Sequence, residues 1–247
     1  MINYVKQLIR TAFRNNGYNI HVTPINPSNN EELLMNILFK KYNIDLILDV
    51  GASRGQYVDS IRKMGYDKNF MSFEPVLEPF KVLYDKFEND PKVLVGKYAI
   101  GHKNKDITIN VSKCDLCSSI LDVTKTTTDV VNDARYVSAE KCMMRRLDEF
   151  YPQFKKYNNV MLKIDTQGFE DKVLIGAPKT LGKVKVIFIE MSLVELYKGE
   201  AKFSDLVKKL EKKGFELYAI TPAFMDNLTG RMLQVDGLFI KKEKILC

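Results

Sequence analysis

Three short clusters hold the residues whose types and spacing could do chemistry. The first is Asp49-Val50-Gly51-Ala52-Ser53-Arg54-Gly55-Gln56. Gly51 permits a sharp turn and a close approach to the backbone, and Gly55 lets a helix start beside it. This is neither a G-x-G-x-x-G fingerprint nor a P-loop, since no Gly-Lys-Ser/Thr follows, and an ordinary tight turn could use the same glycines. The second cluster is Phe73-Glu74-Pro75, with Glu74 25 residues after Asp49. That interval is one strand–helix–strand step, and an acid there can accept two hydrogen bonds from a vicinal diol such as a ribose. Its plainer reading is an acid placed at a helix N-terminus. The third is Leu162-Lys163-Ile164-Asp165-Thr166-Gln167-Gly168-Phe169-Glu170, followed by Glu190 at the end of another apolar run. Lys163 and Asp165 bracket one apolar residue, so they share a face, and burying both is costly unless they pair or meet a ligand. A structural ion-pair network would satisfy the same pattern.

The elements around these clusters alternate. DLILDV, NFMSF, VLVGKYAI, VMLKID and VKVIFIEM read as buried strands because their apolar residues are nearly continuous. Between them, 56–64, 76–87, 169–175 and 203–213 read as helices, the first and last stopping at Gly65 and Gly214. DITINV reads as an extra antiparallel strand or hairpin. FELYAI and VDGLFIKK end the chain without a helix between them, which predicts one antiparallel strand at the close. Residues 112–139 are polar and irregular. The expectation is a doubly wound, mostly parallel α/β sheet with ligand chemistry at the carboxyl ends of its strands.

Upstream, Ile2, Val5, Leu8, Ile9, Ala12 and Phe13 form a helical stripe, with Lys6, Arg10 and Arg14 on another face. A second helix is predicted after Asn29 or Asn30, with the Asn as its cap. The expected division is a helical extension over 1–43 and a catalytic domain over 44–247.

Composition narrows the class. The chain has 247 residues, 45% hydrophobic and 28% charged, which excludes disorder and collagen. No apolar run approaches the ~18 residues of a membrane span, and charges interrupt the N-terminus too often for a signal peptide. Four cysteines, Cys114, Cys117, Cys142 and Cys247, suit a reducing, cytoplasmic setting. Cys114 and Cys117 form a C-x-x-C without a second ligand pair, so free thiols are expected rather than zinc. The net charge of +7 fits nucleic acid, an anionic membrane, a phosphorylated substrate or plain solubility.

In order and spacing these motifs resemble the FkbM-type methyltransferases, a branch of the S-adenosylmethionine-dependent class I fold. The resemblance runs from Gly17-Tyr18-Asn19-Ile20 through DVGASRGQ, FEP, Ala99-Ile100-Gly101, Ser118-Ser119-Ile120-Leu121, Arg146-Leu147-Asp148, KIDTQGFE and IFIEMSLVELYKGE to the closing VDGLFI. It implies a seven-stranded sheet with an antiparallel last strand, S-adenosyl-L-methionine as cofactor, and O-methylation of sugars or natural products. By motif, Asp49, Gly51, Ser53 and Gly55 would line the methionine end of the cofactor, with Ala52 and Gln56 beside them. Glu74 and Pro75 would meet the ribose, and Ala99, Ile100 and Gly101 the adenine. Ser53 stands where the family usually has Asn, and His102 where an acid is commoner.

The expected reaction is in-line methyl transfer to a hydroxyl of a sugar or glycan, with a small natural product as the alternative acceptor. Asp165 and Glu190 are the candidate bases, Lys163 stands with them, and no metal is expected. Ser118 and Ser119, in a polar segment expected to cover the cofactor, are further ligand candidates; acceptor selectivity is expected there and around 197–200. A nucleic-acid methyltransferase is disfavoured, because no recognition domain or base-flipping motif is present. A noncatalytic cofactor-binding module is disfavoured by the intact glycines and acids. The basic face of the lead helix could touch an anionic membrane, although a solvated face explains it as well.

Overall fold

The computed structural model describes residues 11, 12, 14, 15, 17 and 30–242. Of the expected lead helix, residues 1–10 and 13, with Lys6 and Arg10, lie outside them, as does most of the 17–20 motif; residues 11, 12, 14 and 15 are helical. The chain divides into two compact units, 1–35 and 36–247. Helix α1 (Glu31–Lys41) begins where the Asn cap was expected: Asn30 Oδ1 accepts the Leu33 N–H at 2.7 Å.

The larger unit carries a seven-stranded sheet in the order β3-β2-β1-β7-β8-β10-β9. Its strands are β1 (Leu46–Val50), β2 (Asn69–Phe73), β3 (Val93–Gly96), β7 (Val160–Ile164), β8 (Val184–Ser192), β9 (Phe215–Met225) and β10 (Met232–Lys241). Neighbours are parallel from β3 to β8, whereas β10 runs antiparallel to both β8 and β9. The antiparallel last strand is therefore present. Helices α2 (Gln56–Lys63), α3 (Leu77–Phe87), α6 (Glu170–Ile175) and α7 (Phe203–Lys212) fall where periodicity put them. Burial explains the strand readings: every residue of β1 and β7 is buried, as continuous apolar runs require.

Two segments differ from expectation. VLVGKYAI breaks at Lys97-Tyr98: β3 stays in the main sheet, and β4 (Ala99–Ile100) joins a second sheet of order β4-β6-β5. In it, β5 (Lys105–Ser112) pairs antiparallel with β6 (Tyr136–Arg145), a strand that periodicity did not reveal. The reason is that β6 is half-exposed and mixes Glu140, Lys141 and Arg145 with its inward Cys142 and Met144, so no apolar run marks it. Short helices α4 (Lys125–Val130) and α5 (Tyr151–Phe154) complete the connections.

The sheet order reverses between β1 and β7, which opens a crevice at the carboxyl ends of those strands. Two rows of side chains cross one face of the sheet towards it. Register places Ser72, Asp49, Lys163 and Phe188 side by side across β2, β1, β7 and β8. Two residues further along, Asp165 follows the end of β7, and Glu190 on β8 stands opposite Asp236 on β10. Alternation within each strand fixes both rows on the same face.

Candidate active site

A cavity of about 420 Å³ fills the crevice, the size of a small-molecule site. Of the residues anticipated from sequence, Gly51, Ala52, Ser53, Gln56, Glu74 and Pro75 line it, as do Ala99, Ile100, Lys163, Asp165 and Glu190. Asp49, Gly55, Gly101 and Ser119 do not.

The glycine turn is built against protein rather than left open. Gly51 has φ +83°, and a Cβ there would lie 1.7 Å from the Asp165 carbonyl oxygen. The residue is glycine because the backbone after β7 crosses directly over it. A Cβ at Gly55 would likewise meet the Phe87 ring at 2.6 Å, so that glycine seats α2 against α3. Ser53 also adopts a left-handed φ of 46°, and its buried hydroxyl has no hydrogen-bond partner.

Glu74 closes the turn. One carboxylate oxygen accepts the Ser53 N–H at 2.9 Å and the other the Val76 N–H at 2.8 Å. Burial pushes its pKa up to about 7, against the opposing pull of those two N–H groups. Each oxygen keeps a lone pair for a hydroxyl donor.

Asp49 is fully buried beneath the cavity, and its partner is Lys163 on the neighbouring strand. Lys163 Nζ stands 3.3 Å from Asp49 Oδ1 and 3.5 Å from Asp165 Oδ2, and donates to the Gly51 carbonyl at 2.7 Å. Burial alone would lower its pKa; the carboxylates of Asp49 and Asp165 outweigh that and raise it, so the lysine stays charged. Its ammonium thus ties the glycine turn to the end of β7, and its raised proton affinity keeps it from serving as a base.

The acidic row carries a residue that the sequence did not single out. Gln167, at a left-handed φ of 53°, donates from Nε2 to Asp165 Oδ1 at 2.7 Å and to Glu190 Oε2 at 2.9 Å. Gln234 donates to the same Glu190 oxygen at 2.8 Å. Glu190 is held well above the ordinary carboxylate range, first by burial and then by the charges of Asp165, Glu170 and Asp236. Asp236, Tyr57 and Phe188 also line the cavity, the two rings stacked at 6.1 Å. Only long-range register brings Asp236 and Gln234 here. The nearest local signal is a polar residue at alternate positions of an otherwise apolar β10.

The polar segment reaches the cavity through Leu116, Ser118 and Ile120. Ser119 instead turns inward: its hydroxyl donates to the Gln167 carbonyl at 2.6 Å and accepts the Leu121 N–H at 3.0 Å. Glu200 is also structural, accepting the N–H groups of Leu196 and Tyr197. Cys114, Cys117 and Cys142 are free thiols, and among the described residues no group of three or more His, Cys, Asp or Glu is arranged to hold a metal ion.

The Methyltransferase FkbM domain matches residues 49–217, more than half of the chain, from the buried Asp49 to the start of β9. The chain belongs to the FkbM methyltransferase family. Its cofactor is S-adenosylmethionine. No curated protein matches the chain. Solved structures with a similar fold include Streptococcus pneumoniae Sp1610 in complex with S-adenosyl-L-methionine, at 11% identity and TM-score 0.48, covering 83% of this chain and 69% of that one. An S-adenosylmethionine-dependent methyltransferase from Clostridium acetobutylicum shares 9% identity at TM-score 0.44, covering 86% and 91%. A ribosomal protein L11 methylase from Lactobacillus delbrueckii subsp. bulgaricus shares 8% at TM-score 0.43, covering 86% and 78%.

The residues of this methyltransferase fit that cofactor. The unsatisfied Ser53 hydroxyl and the half-satisfied Glu74 carboxylate offer an acceptor-rich wall to a polar, cationic nucleoside. A ribose diol docked on Glu74 would need that carboxylate ionised, and burial pushes its pKa up to about 7. Affinity for S-adenosylmethionine is therefore expected to fall about tenfold per pH unit below that point, and Glu74→Gln to flatten the dependence. Calorimetric titrations from about pH 5.5 to 8 check both; an equally flat profile in the wild type would refute the role.

Proposed function

We propose that this enzyme transfers the methyl group of S-adenosylmethionine to a hydroxyl oxygen of a sugar or glycan. The bound cofactor supplies an electrophilic methyl on a positively charged sulfur, so the protein's own task is alignment and proton handling. Asp49 and Lys163 hold the glycine turn, and Glu74 holds the nucleoside side. The acceptor end of the cavity is then the Asp165–Glu190–Asp236 row with the Tyr57–Phe188 pair beside it.

The observation that carries the reading is the state of Glu190. A hydroxyl is a weak nucleophile and gains from a base whose proton affinity approaches the working pH. Burial and neighbouring acids raise that affinity in Glu190, and two amide donors on Oε2 aim the carboxylate. Asp165, already engaged by Lys163 and Gln167, is better suited to orienting the site.

Charge supports an uncharged acceptor. Lys163 is the one cation lining the cavity among the described residues, and two carboxylates neutralise it. Asp165 is paired with Lys163, and Glu74, Glu190 and Asp236 add only acids, so among the described residues the lining offers no free cation even though the chain carries +7. A phosphate or uronate beside the reacting hydroxyl would find no cation to pair with, and neither would a nucleic-acid backbone. The stacked rings offer an apolar face to a sugar's C–H groups. The free thiols among the described residues favour a reducing compartment, in keeping with cytoplasmic synthesis of a glycan precursor.

Methyl-labelled S-adenosylmethionine, incubated with neutral nucleotide-free sugars, anionic glycans, phenols and RNA, tests the proposal. Label is expected in a neutral hydroxylated acceptor. Transfer to RNA alone, surviving about 0.2 M salt, would overturn it.

A further inference from the structure

The two carboxylates at the reacting edge sit on adjacent strand ends, where their charges repel. What lies between them is a single side-chain amide. Gln167 Nε2 has two N–H bonds, and it spends one on Asp165 and one on Glu190, at 2.7 and 2.9 Å. The rest of the residue is equally committed. Tyr197, buried, donates its hydroxyl to Gln167 Oε1 at 2.8 Å, which fixes which end of the amide faces the acids. Ser119, buried in the polar segment, donates to the Gln167 carbonyl at 2.6 Å. The backbone at 167 is left-handed, a conformation that a residue with a Cβ adopts at a cost. Strain of this kind persists where surrounding contacts over-determine it. Here they hold the amide in one orientation from both sides.

We propose that Gln167 is a positioning residue: its amide bridges Asp165 and Glu190, sets their separation, and stabilises the ionised form of the base. Its partners extend the effect. The single Tyr197 hydroxyl proton is shared, more weakly, with the Cys117 carbonyl at 3.3 Å, so the segment that carries Leu116 and Ser118 into the cavity is keyed to the same amide. An amide suits this task better than a cation or a third acid. It donates to both carboxylates without neutralising the base, and it adds no further repulsion.

That Glu190 serves as a base rests on the function proposed above, but the bridge can be measured without any acceptor. Carboxyl-¹³C NMR titration of the full chain, with resonances assigned through Glu190→Gln and Asp165→Asn, reads the proton affinity of each acid directly. The groups facing Glu190 are Lys163 from β7, Asp165 just after it, Asp236 from β10, Glu170 from α6, and Cys117 and Tyr197 from the loops that pack on the site. All stay in place in the two test variants. Gln167→Met keeps length and removes both donors. Gln167→Asn keeps an amide and favours the left-handed backbone, but is too short to reach across. Either variant is expected to raise the Glu190 midpoint by about one pH unit or more, since hydrogen bonds to the charged form favour it. The affinity for S-adenosylmethionine should change less than about twofold. Unchanged midpoints for both acids in folded Gln167→Asn would overturn the proposal. With a neutral acceptor in hand, Gln167→Asn should lower kcat with little change in the cofactor KM. A loss of thermal stability without the midpoint shift would mark a purely structural residue.

Discussion

Replacing Glu190 with Gln is expected to lower the methyl-transfer rate by about 10² to 10⁴, the usual contribution of a positioned general base. Affinity for the cofactor should hold. The substitution is isosteric, and a Gln at 190 can still accept from Gln167 and Gln234 through its own carbonyl oxygen, so the wall keeps its shape. What it loses is the capacity to take the acceptor's proton. The pH profile gives a second reading of the same group. A base accepts a proton only in its ionised form, so the rate rises with pH through the midpoint of Glu190. Burial and the neighbouring acids raise that midpoint, which moves the acid limb above the ordinary carboxylate range. Glu190→Gln should remove the limb together with the rate. Asp165→Asn serves as the comparison: near-normal turnover there is compatible with an orienting role. A silent Glu190→Gln beside an inactive Asp165→Asn would transfer the base to Asp165.

The distinction between these acids marks what sequence could and could not convey. The strand-end clusters were legible because each lies within one short segment: glycines after β1, an acid after β2, and Lys163 and Asp165 flanking Ile164. Local periodicity also gave the longer helices and the succession of buried strands along the chain, but not the short α4 and α5. Residues brought in by register were not legible. Asp236 and Gln234 reach the acidic row because β10 inserts antiparallel beside β8, and nothing local to 232–241 says which strand it will meet. Gln167 stood in a recognised segment, but its role depends on Tyr197, Ser119 and Glu190, 30, 48 and 23 residues away. Residue type could also mislead about direction. Ser119 and Asp49 are polar and sit in ligand-type motifs, yet one turns into the loop and the other is fully buried beside Lys163, off the cavity lining. Gly51 was legible as a glycine-requiring position, though the atom that requires it belongs to Asp165 and not to a ligand.

The same burial makes Lys163 the position where one substitution should cost most stability. Lys163→Met keeps the aliphatic length but leaves Asp49 fully buried with only the Ser72 hydroxyl, at 3.5 Å, beside it. Removing one member of a buried ion pair costs about 3–5 kcal/mol, because the remaining charge must protonate or draw water inward. For a domain of this size that is a fall in Tm of about 10 °C, readable by calorimetry. Asp49→Leu in the same chain should recover most of it, because a desolvated pair exchanged for packed apolar side chains is near neutral. The recovery separates the lysine's two tasks. The double variant has no stranded charge, but it also lacks the 2.7 Å bond from Nζ to the Gly51 carbonyl and the ion pair to Asp165. Its fold is therefore expected to return while affinity for S-adenosylmethionine stays at least about tenfold weaker, since the turn is no longer tied to the end of β7. If binding returned with stability, the pair would serve the core alone. If neither returned, the ammonium's contacts to the turn and to Asp165 would be what holds this part of the fold together, and Asp49 would be their counter-charge.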